Sequence, residues 1–486
     1  MDGWSLVDAP KSRPTYLSLF AVFGEHSSFM FTLPGLLAIL VAHYTKVHEI
    51  TPSLQRVPCL NLAYLAACCG FLLDIRLGLL RAEACPQLRI AIPLWLWTLV
   101  SIGFSVGITP DGVTVMMVYV MLFLIVAQGV QSFRVLRVVA LSILAISLFL
   151  GLVAAIQATR PFMCIPLMPD VPDFRPSSPD GRFCETTAEC HIDAEPGQTY
   201  MCERPGPLMT ASVGHGRVRY RGILEDPNEL ALSLVITLPF AMIMFAQRRS
   251  VLNLLLLIVA FAIVFPVVVL TGSRTGQLAF VAVVAVYVMQ RVSWKGILAA
   301  AVLAAPALLL GGRSGEEAEG STTDRLEAWS AGIDMVRSSP LWGIGKGQFS
   351  EQYVITAHNS FVLAAAELGL IGMALWVGVL YTGLKITLLA IRLYRGRPDA
   401  SVPHAWARAL FASLIGITVG TSFLSLGYHP VVWTFLALPG AYYLAARRHD
   451  PEFRVVFGIR DLLVVATFAI LYLAGTKVYL LARGIY

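Results

Sequence analysis

The sequence predicts an all-α membrane protein that crosses the bilayer many times. Of its 486 residues, 57% are hydrophobic and only 14% are charged, and the mean hydropathy is +0.72. Because a soluble domain carries about 25% charged residues, this chain could not cover a compact surface with charge. The composition excludes a soluble multidomain enzyme, a disordered chain, a collagen and a small disulfide-stapled module. The net charge of +6 is too small for this length to indicate a nucleic-acid partner.

The apolar runs predict about 12 to 13 transmembrane helices, since a helix needs about 20 mostly apolar residues to cross a bilayer. A transmembrane β-barrel is excluded because its strands alternate apolar and polar residues, whereas runs such as 251–270 are apolar on every face. The predicted spans are 29–44, 58–73, 90–108, 113–130, 138–158, 228–246, 251–270, 276–290, 296–311, 361–391, 406–426, 430–446 and 461–482.

Basic residues in the short loops predict the orientation, because cytoplasmic loops carry an excess of Lys and Arg. With a cytoplasmic N-terminus, the inner loops hold 16 basic residues and the outer short loops hold three, Lys46, Arg56 and Arg274. The inner set is Arg76, Arg81, Arg89, Arg134, Arg137, Arg248, Arg249, Arg291, Lys295, Arg392, Arg395, Arg397, Arg447, Arg448, Arg454 and Arg460.

This orientation divides the chain into five segments and places both long loops outside. The segments are N-terminal transmembrane helices at 1–158, a periplasmic loop at 159–225, central transmembrane helices at 226–311, a periplasmic helical loop at 312–360 and C-terminal transmembrane helices at 361–486. Because long polar segments occur on one side only, we expect the protein to act on that side.

The first outer loop contains four cysteines, Cys164, Cys184, Cys190 and Cys202. The loop is rich in Pro, Asp and Gly and has little apolar periodicity, so the sequence predicts two disulfides and therefore an oxidising compartment. Four cysteines allow three pairings, and the spacing does not choose between them. A zinc site is the alternative, but no close CxxC pair supports it.

Three arginines alternate in the stretch before the sixth span. Arg217, Arg219 and Arg221 precede Asp226-Pro227-Asn228, where Asp226 is a plausible helix N-cap with proline in the first turn. A helix N-terminus favours phosphate through its backbone donors and its dipole, so this stretch is a candidate anion site. The alternative is that the arginines bind lipid headgroups at the interface.

A second candidate, Thr271-Gly-Ser-Arg-Thr-Gly276, forms a short turn between two long apolar runs. An arginine at membrane depth is costly unless it is paired or hydrated. Arg274 is surrounded by hydroxyls, including that of Ser273, and by glycines that permit close backbone approach. A functional role is therefore favoured over the alternative of an arginine that snorkels to the interface.

The third candidate precedes and enters the tenth span. His358 and Asn359 come directly before an apolar helical run, and Glu367 lies inside that run, where it needs a polar partner or a wet cavity. A capping or interfacial histidine is the alternative for His358 alone. Upstream, residues 324–338 have apolar residues at helical spacing and include Arg325, which predicts an amphipathic helix that positions His358 over the bundle.

Together these residues suit transfer from a phosphate-activated donor. Arginine binds phosphate through a bidentate fork, and histidine is a base with a pKa near working pH. The chain has no P-loop, GxGxxG, HExxH or DxD motif, so ATP, nucleotide-sugar and metal chemistry lack support. The sequence predicts no cofactor and no metal, and favours a lipid-linked pyrophosphate as donor.

These residues resemble a known family. His358-Asn359, nine residues, Gly369, two residues and Gly372 match the H-N-x9-G-x-x-G signature of bacterial O-antigen ligases and the related polysaccharide polymerases. The order and spacing of further motifs are also similar to that family, over about 219–372. These are Arg221-Gly222 leading to Asp226-Pro227-Asn228, Ser273-Arg274-Thr275-Gly276, and Arg325, Trp329 and Pro340 to Gly345.

The resemblance implies a metal-independent, inverting glycosyltransferase of the GT-C type in the bacterial inner membrane, with a glycan on undecaprenyl diphosphate as donor at the periplasmic face. It implies that Arg221 and Arg274 bind the diphosphate and that His358 accepts or orients the proton of the acceptor hydroxyl. Supporting substrate-binding positions would be Arg217, Arg219, Asn228, Ser273, Arg325, Asn359 and Glu367. The four-cysteine loop departs from the family pattern, so the acceptor stays open between lipid A-core and a growing polysaccharide.

Two other functions are weighed against this one. A protein O-oligosaccharyltransferase would share the donor and differ in the acceptor. A transporter or flippase of lipid-linked glycan would show repeated halves and charges at the membrane midplane, whereas the unusual polar residues here gather at the outer ends of spans.

Overall fold

The described part of the chain is built almost entirely of helices. The computed structural model describes residues 30–105, 110–167, 178–192, 194, 198–291 and 316–486. The helices are α1 (Thr32–Thr45), α2 (Val47–Ile50), α3 (Pro52–Gln55), α4 (Cys59–Arg76), α5 (Leu88–Ser105), α6 (Pro110–Gly129), α7 (Phe133–Ala158), α8 (Thr187–His191), α9 (Pro227–Val235), α10 (Leu238–Gln247), α11 (Val251–Leu270), α12 (Arg274–Met289), α13 (Glu316–Ser338), α14 (Phe349–Gln352), α15 (Ser360–Leu393), α16 (Ser401–Phe423), α17 (Pro430–His449) and α18 (Ile459–Ala482). Short 3-10 turns occur at Pro207–Met209, Gly222–Leu224 and Pro398–Ala400.

The helices confirm an all-α polytopic membrane protein. Within the described ranges, eight helical stretches are long and apolar enough to cross a membrane: Cys59–Arg76, Leu88–Ser105, Phe133–Ala158, Pro227–Gln247, Val251–Leu270, Ser360–Leu393, Pro398–Phe423 and Ile459–Ala482. Shorter apolar helices cover Thr32–Thr45, Met116–Gly129 and Arg274–Met289. The less apolar α17 is almost completely buried among its neighbours. The span predicted at 296–311 lies outside the described residues.

Lipid-facing surface accounts for the apolar composition. The α11 helix leaves Val251 75% exposed and Leu252 61% exposed, and α18 leaves Leu471 65% exposed. Such side chains would be unfavourable in water, and a bilayer provides them with an apolar environment. The buried interior is formed instead by large side chains of α10, α15, α16 and α17, among them Phe240, Trp376, Trp406, Phe435 and Tyr442.

Contacts between loops define two faces of the bundle. On one face, the Tyr220 hydroxyl donates to the carbonyl of Thr45 (2.7 Å), and the Tyr486 hydroxyl donates to Asp334 (2.9 Å). On the other face, the Arg448 guanidinium donates to the carbonyl of Leu79 (2.9 Å). The loops of Thr45 and Tyr220 were predicted to share one face, and those of Leu79 and Arg448 to share the other; these contacts agree with that grouping. The last helix therefore runs from one face to the other and ends beside α13.

The four loop cysteines form two disulfides, Cys164–Cys190 and Cys184–Cys202. The strands β1 (Met163–Pro166) and β2 (Tyr200–Glu203) pair antiparallel with Cys164 opposite Cys202, so both bridges are attached to one ribbon. A second small ribbon joins β3 (Pro205–Gly206) to β4 (Thr210–Ala211). Because all four sulfurs are bonded in pairs, they are not available as thiolate ligands for zinc.

A buried acid near the first helix has a structural role. Asp74 of α4 is completely buried, and its carboxylate accepts hydrogen bonds from the backbone N–H groups of Phe31 (3.0 Å) and Thr32 (2.8 Å) and from the Thr32 hydroxyl (2.6 Å). It thereby satisfies donors at the start of α1, which have no partner within that helix. This accounts for an acid within the apolar bundle without a transport pathway.

Candidate active site

A cleft of about 540 Å³ lies where the two long loops meet. It combines three arginines, one histidine and three carboxylates, drawn from segments far apart in the sequence. The first loop and the start of α9 contribute Val213, Arg217, Arg219, Glu225, Asp226, Pro227 and Asn228, and the second loop contributes Asp324, Arg325, Ile355 and His358. Five residues that the sequence singled out therefore share one cleft: Arg217, Arg219, Asn228, Arg325 and His358.

The start of α9 forms one wall of the cleft. Asp226 is the N-cap of α9, and its side chain accepts hydrogen bonds from the backbone N–H of Asn228 (2.7 Å) and from the Asn228 side-chain amide (2.7 Å). Pro227 occupies the first turn, where its missing N–H costs nothing. The predicted cap is confirmed, and it holds Asn228 in the cleft wall.

Arg217 and Arg219 are anchored through one edge of the guanidinium group. The Nε of Arg217 donates to the carbonyl of Thr271 (2.8 Å), and the Nε of Arg219 donates to the carbonyl of Ala211 (3.0 Å). Arg219 also pairs with Glu225 at 3.4 Å. Burial lowers the pKa of Arg219, and the nearby carboxylates oppose this shift. Both side chains thus have a fixed orientation toward the cleft.

His358 lies directly before α15 in an uncommon backbone conformation. Its φ of 46° is in the left-handed region, which non-glycine residues rarely adopt. The next residue, Asn359, is fully buried and caps α15, because its side-chain oxygen accepts from the N–H groups of Phe361 (3.0 Å) and Val362 (3.2 Å). Its amide donates to the Tyr472 hydroxyl (2.9 Å). Asn359 therefore does not line the cleft. It fixes the start of α15 and so helps to position His358, the residue before it.

The imidazole of His358 lies between opposing charges. Burial, together with the positive charge of Arg325, lowers its pKa, and the carboxylate of Asp226 opposes the shift. A histidine with a lowered pKa is neutral at neutral pH, so it can accept a proton or a hydrogen bond from a hydroxyl group.

The two signature glycines explain why the second loop stays close to α15. At Gly369 (φ 69°, ψ −177°) the helix is interrupted, and segment 340–345 lies against the break. The N–H of Gly345 donates to the carbonyl of Glu367 (3.0 Å), and the N–H of Leu370 donates to the carbonyl of Pro340 (2.9 Å). A side chain on Gly372 would approach Trp97, which donates to the carbonyl of Leu368 (2.8 Å). Two separate sequence motifs are therefore one structural unit.

Glu367 lies beneath this unit, away from the cleft. Its carboxylate accepts from the N–H of Phe349 (3.3 Å), and the residue is buried. The Lys346 ammonium is near it and lies over the ring of Tyr428, 4.8 Å from the centroid. Burial lowers the pKa of Lys346, and Glu367 opposes the shift. Glu367 therefore holds segment 345–349 and does not line the cleft, and the substrate-binding role that the family resemblance implied for it stays a prediction.

Arg221 and Arg274 do not line the cleft, although both were predicted to be central. The Arg221 guanidinium donates to the carbonyl of Met209 (2.7 Å), and a 3-10 turn begins after it, which ends the alternation with Arg217 and Arg219. Arg274 is exposed at the first turn of α12, and Ser273 is a buried N-cap that accepts from the N–H of Gly276 (2.9 Å). The turn before Arg274 contacts the site, because the Thr271 carbonyl accepts from the Nε of Arg217.

Sequence reasoning missed His429, which supports the site from below. Its Nε2 donates to the carbonyl of Ile223 (2.6 Å), and its Nδ1 accepts from the N–H of Val431 (3.3 Å). Burial lowers the pKa of His429 to about 4, which agrees with a neutral ring that donates through one nitrogen and accepts through the other. The sequence did offer a signal for this residue, because a histidine directly precedes the proline that begins a predicted span.

These features define a multi-pass helical membrane protein with an arginine- and histidine-lined site formed by two loops on one face. Residues 259–377 match the family model described as O-antigen ligase. The match confirms the resemblance inferred from the motifs and supports assignment to the O-antigen ligase and polymerase family. It includes Arg274, Arg325, His358 and both signature glycines, and it supports a glycosyltransferase-like enzyme that uses lipid-linked glycan in a membrane. A search of curated proteins found no match to the chain.

Proposed function

We propose that this protein transfers a glycan from undecaprenyl diphosphate to an acceptor hydroxyl at the periplasmic face of the bacterial inner membrane. The observation that carries the proposal is the cleft in which His358 lies with Arg217, Arg219 and Arg325. The three guanidinium groups suit a diphosphate and the neutral imidazole suits a hydroxyl, so one cleft offers a place for both substrates.

The imidazole and the guanidinium groups of the cleft have separate roles in the proposed reaction. The acceptor oxygen forms a bond to the anomeric carbon of the sugar while the bond from that carbon to the diphosphate oxygen breaks, so the configuration inverts. The acceptor proton goes to His358 or is oriented by it. Negative charge builds on the departing diphosphate, and fixed guanidinium groups stabilise it without a metal ion. Arg217, Arg219 and Arg325 are the nearest candidates for this role.

Arg221 and Arg274 are proposed to contact the donor from the edges of the cleft. Arg221 lies two residues from Arg219, and the turn before Arg274 contacts Arg217. A polyprenyl diphosphate that enters from the membrane would pass such positions before its reactive carbon reaches His358. Their substitution should weaken donor binding more than it slows the chemical step.

Reconstitution with undecaprenyl-diphosphate-linked glycan tests the proposal. The wild-type protein should form glycosylated acceptor and release undecaprenyl diphosphate, and His358→Ala should abolish the product. His215→Ala is the matched control, because His215 is an exposed histidine of the same face that does not line the cleft. Donor movement across the bilayer without sugar transfer would instead establish a flippase. Parallel reactions with lipid A-core, repeat units and a periplasmic protein distinguish ligase, polymerase and protein O-oligosaccharyltransferase.

A further inference from the structure

A second cavity, of about 640 Å³, lies between α10, α11 and α12. Four phenylalanines line it, Phe245, Phe261, Phe265 and Phe280, and Arg291 lies at one end. Arg291 follows the C-terminal end of α12, whereas the cleft lies near the N-terminal end of the same helix. The cavity is therefore separate from the proposed active site and extends toward the opposite face of the bundle.

The length of the cavity corresponds to one leaflet of a bilayer. Its lining along α12 runs from Phe280 to Arg291, and eleven residues of α-helix rise by about 16 Å. This is about half of the roughly 30 Å hydrocarbon core. The acyl chain of a glycerophospholipid fills one leaflet, whereas a long polyprenyl chain would extend beyond such a cavity.

Basic side chains surround Tyr287, which lines the cavity beside Arg291. The guanidinium groups of Arg291 and Arg408 lie over the ring of Tyr287, 5.2 Å and 5.8 Å from its centroid. His404 lies within electrostatic range of Arg408, Arg395 and Arg291. Among the residues that the structure describes, the charged or titratable groups acting on Arg408 are Arg291 and Tyr287, and neither is a carboxylate. Residues 292–315, which continue the chain after Arg291, contain no Asp or Glu.

Arg408 also has unused hydrogen-bonding capacity. Its Nε donates to the Gln290 side chain (3.3 Å), but its Nη2 is buried and has no hydrogen-bond partner among the residues that the structure describes. A buried donor without an acceptor is unfavourable, and neighbouring positive charges repel one another. A phosphate group would relieve both costs, because it accepts charge-assisted hydrogen bonds from guanidinium groups.

We propose that this cavity binds an anionic glycerophospholipid, with an acyl chain between the phenylalanines and the phosphate among Arg291, Arg408 and His404. The orientation predicted from the basic residues puts this end of the bundle at the cytoplasmic leaflet, which is rich in anionic lipid. The lipid would support the inner ends of α10, α11 and α12 and would not take part in the reaction.

Lipid retention by the purified full-length protein in detergent tests this proposal. Native mass spectrometry would compare phosphatidylglycerol with phosphatidylcholine of the same chains and with a polyprenyl monophosphate. Phosphatidylglycerol should be retained preferentially, and Arg291→Gln combined with Arg408→Gln should weaken its retention about thirty-fold. Arg249→Gln, an exposed arginine of the same face outside the cavity, should leave retention unchanged.

A second variant tests the chain-binding part. Val288→Trp would fill the cavity without changing charge, and it should reduce retention of both glycerophospholipids. Equal retention of phosphatidylglycerol and phosphatidylcholine by the wild-type protein would overturn the proposal without any variant. So would wild-type retention by the double arginine variant, or displacement of phosphatidylglycerol by polyprenyl monophosphate at equal concentration.

Discussion

Gly369 lies so close to Leu341 that a Cβ atom on the glycine would be 2.1 Å from the Leu341 carbonyl oxygen. The contact joins the interrupted helix α15 to the segment that follows α13. His358 lies directly before α15 and Arg325 lies within α13, so this contact helps to fix the separation of the two residues.

Gly369→Ala should destabilise the protein and reduce transfer. The φ of 69° is unfavourable for alanine, at a cost of about 1–3 kcal/mol, and the added methyl group would push segment 340–345 away. Thermal unfolding in detergent would measure the loss. Gly475→Ala is the control, because within the described ranges no atom beyond its own helical turn lies within 4 Å of its Cβ position, and that variant should be as stable as wild type or more so.

Gly272→Ala should reduce transfer by displacing Arg217. Gly272 has a φ of 61°, and a Cβ atom there would lie 3.2 Å from the Nε of Arg217. Displacement of a substrate-positioning group by a fraction of an ångström to 1 Å can cost about 10- to 100-fold in rate, which steady-state transfer assays would detect. Gly214→Ala adds comparable backbone strain (φ 49°), but apart from its chain neighbours no atom of the described residues lies within 4 Å of the added Cβ. Equal loss in both variants would show that strain alone matters.

Arg325→Gln should shift the pH dependence of transfer. The positive charge of Arg325 helps to lower the pKa of His358, so its removal should raise that pKa. A base is active when deprotonated, and activity falls as pH drops through its pKa. The acid limb of the pH–rate profile should therefore move to higher pH. Arg337→Gln removes a charge from the exposed far end of the same helix, so its acid limb should stay in place. An unchanged limb for Arg325→Gln would contradict the role of His358 as a base.

Loss of either disulfide should loosen the first loop. Paired substitution of Cys184 and Cys202 by Ser opens a loop of sequence separation 18, and each bridge of this size contributes about 3 kcal/mol. Limited proteolysis should cleave this variant within the loop faster than wild type, while Cys69→Ser, at an exposed free cysteine, should behave as wild type. Peptide mapping without reductant should recover Cys164–Cys190 and Cys184–Cys202. Any other pairing would contradict the structure.

Local signals in the sequence predicted the helices and several of their ends. Twelve of the predicted spans correspond to helices of the described chain, and Asp226 caps α9 as its neighbours indicated. The amphipathic helix predicted at 324–338 is longer and begins at Glu316. The sixth span is divided between Val235 and Leu238, where Pro239 in the first turn of α10 has no N–H to continue the hydrogen bonds of α9. Hydrophobicity alone does not predict where one apolar span is divided into two helices.

The side chains of the site were harder to assign than its segments. The alternating Arg217, Arg219 and Arg221 were predicted to form one anion site, but a 3-10 turn begins after Arg221, and its guanidinium donates to Met209 and not into the cleft. Asn359 and Glu367 are polar residues in functional motifs, yet both are buried and hold backbone N–H groups of other residues. A motif records which residues are needed, not whether each contacts substrate or supports a neighbour that does.

Composition and apolar runs were enough to predict a multi-pass helical membrane protein, which the structure confirms. The basic residues and motifs predicted a grouping of the loops by face and indicated segments that line the candidate cleft. Each of these depends on local hydrophobicity or on charge, which can be read directly from the sequence. The tertiary structure alone decided three features. These are the disulfide pairing, the contact between segment 340–345 and the helix break at Gly369, and the separation of cleft residues from supporting residues. They depend on contacts between segments far apart in the chain, where close packing and hydrogen bonds select one arrangement among many that the same motifs would allow.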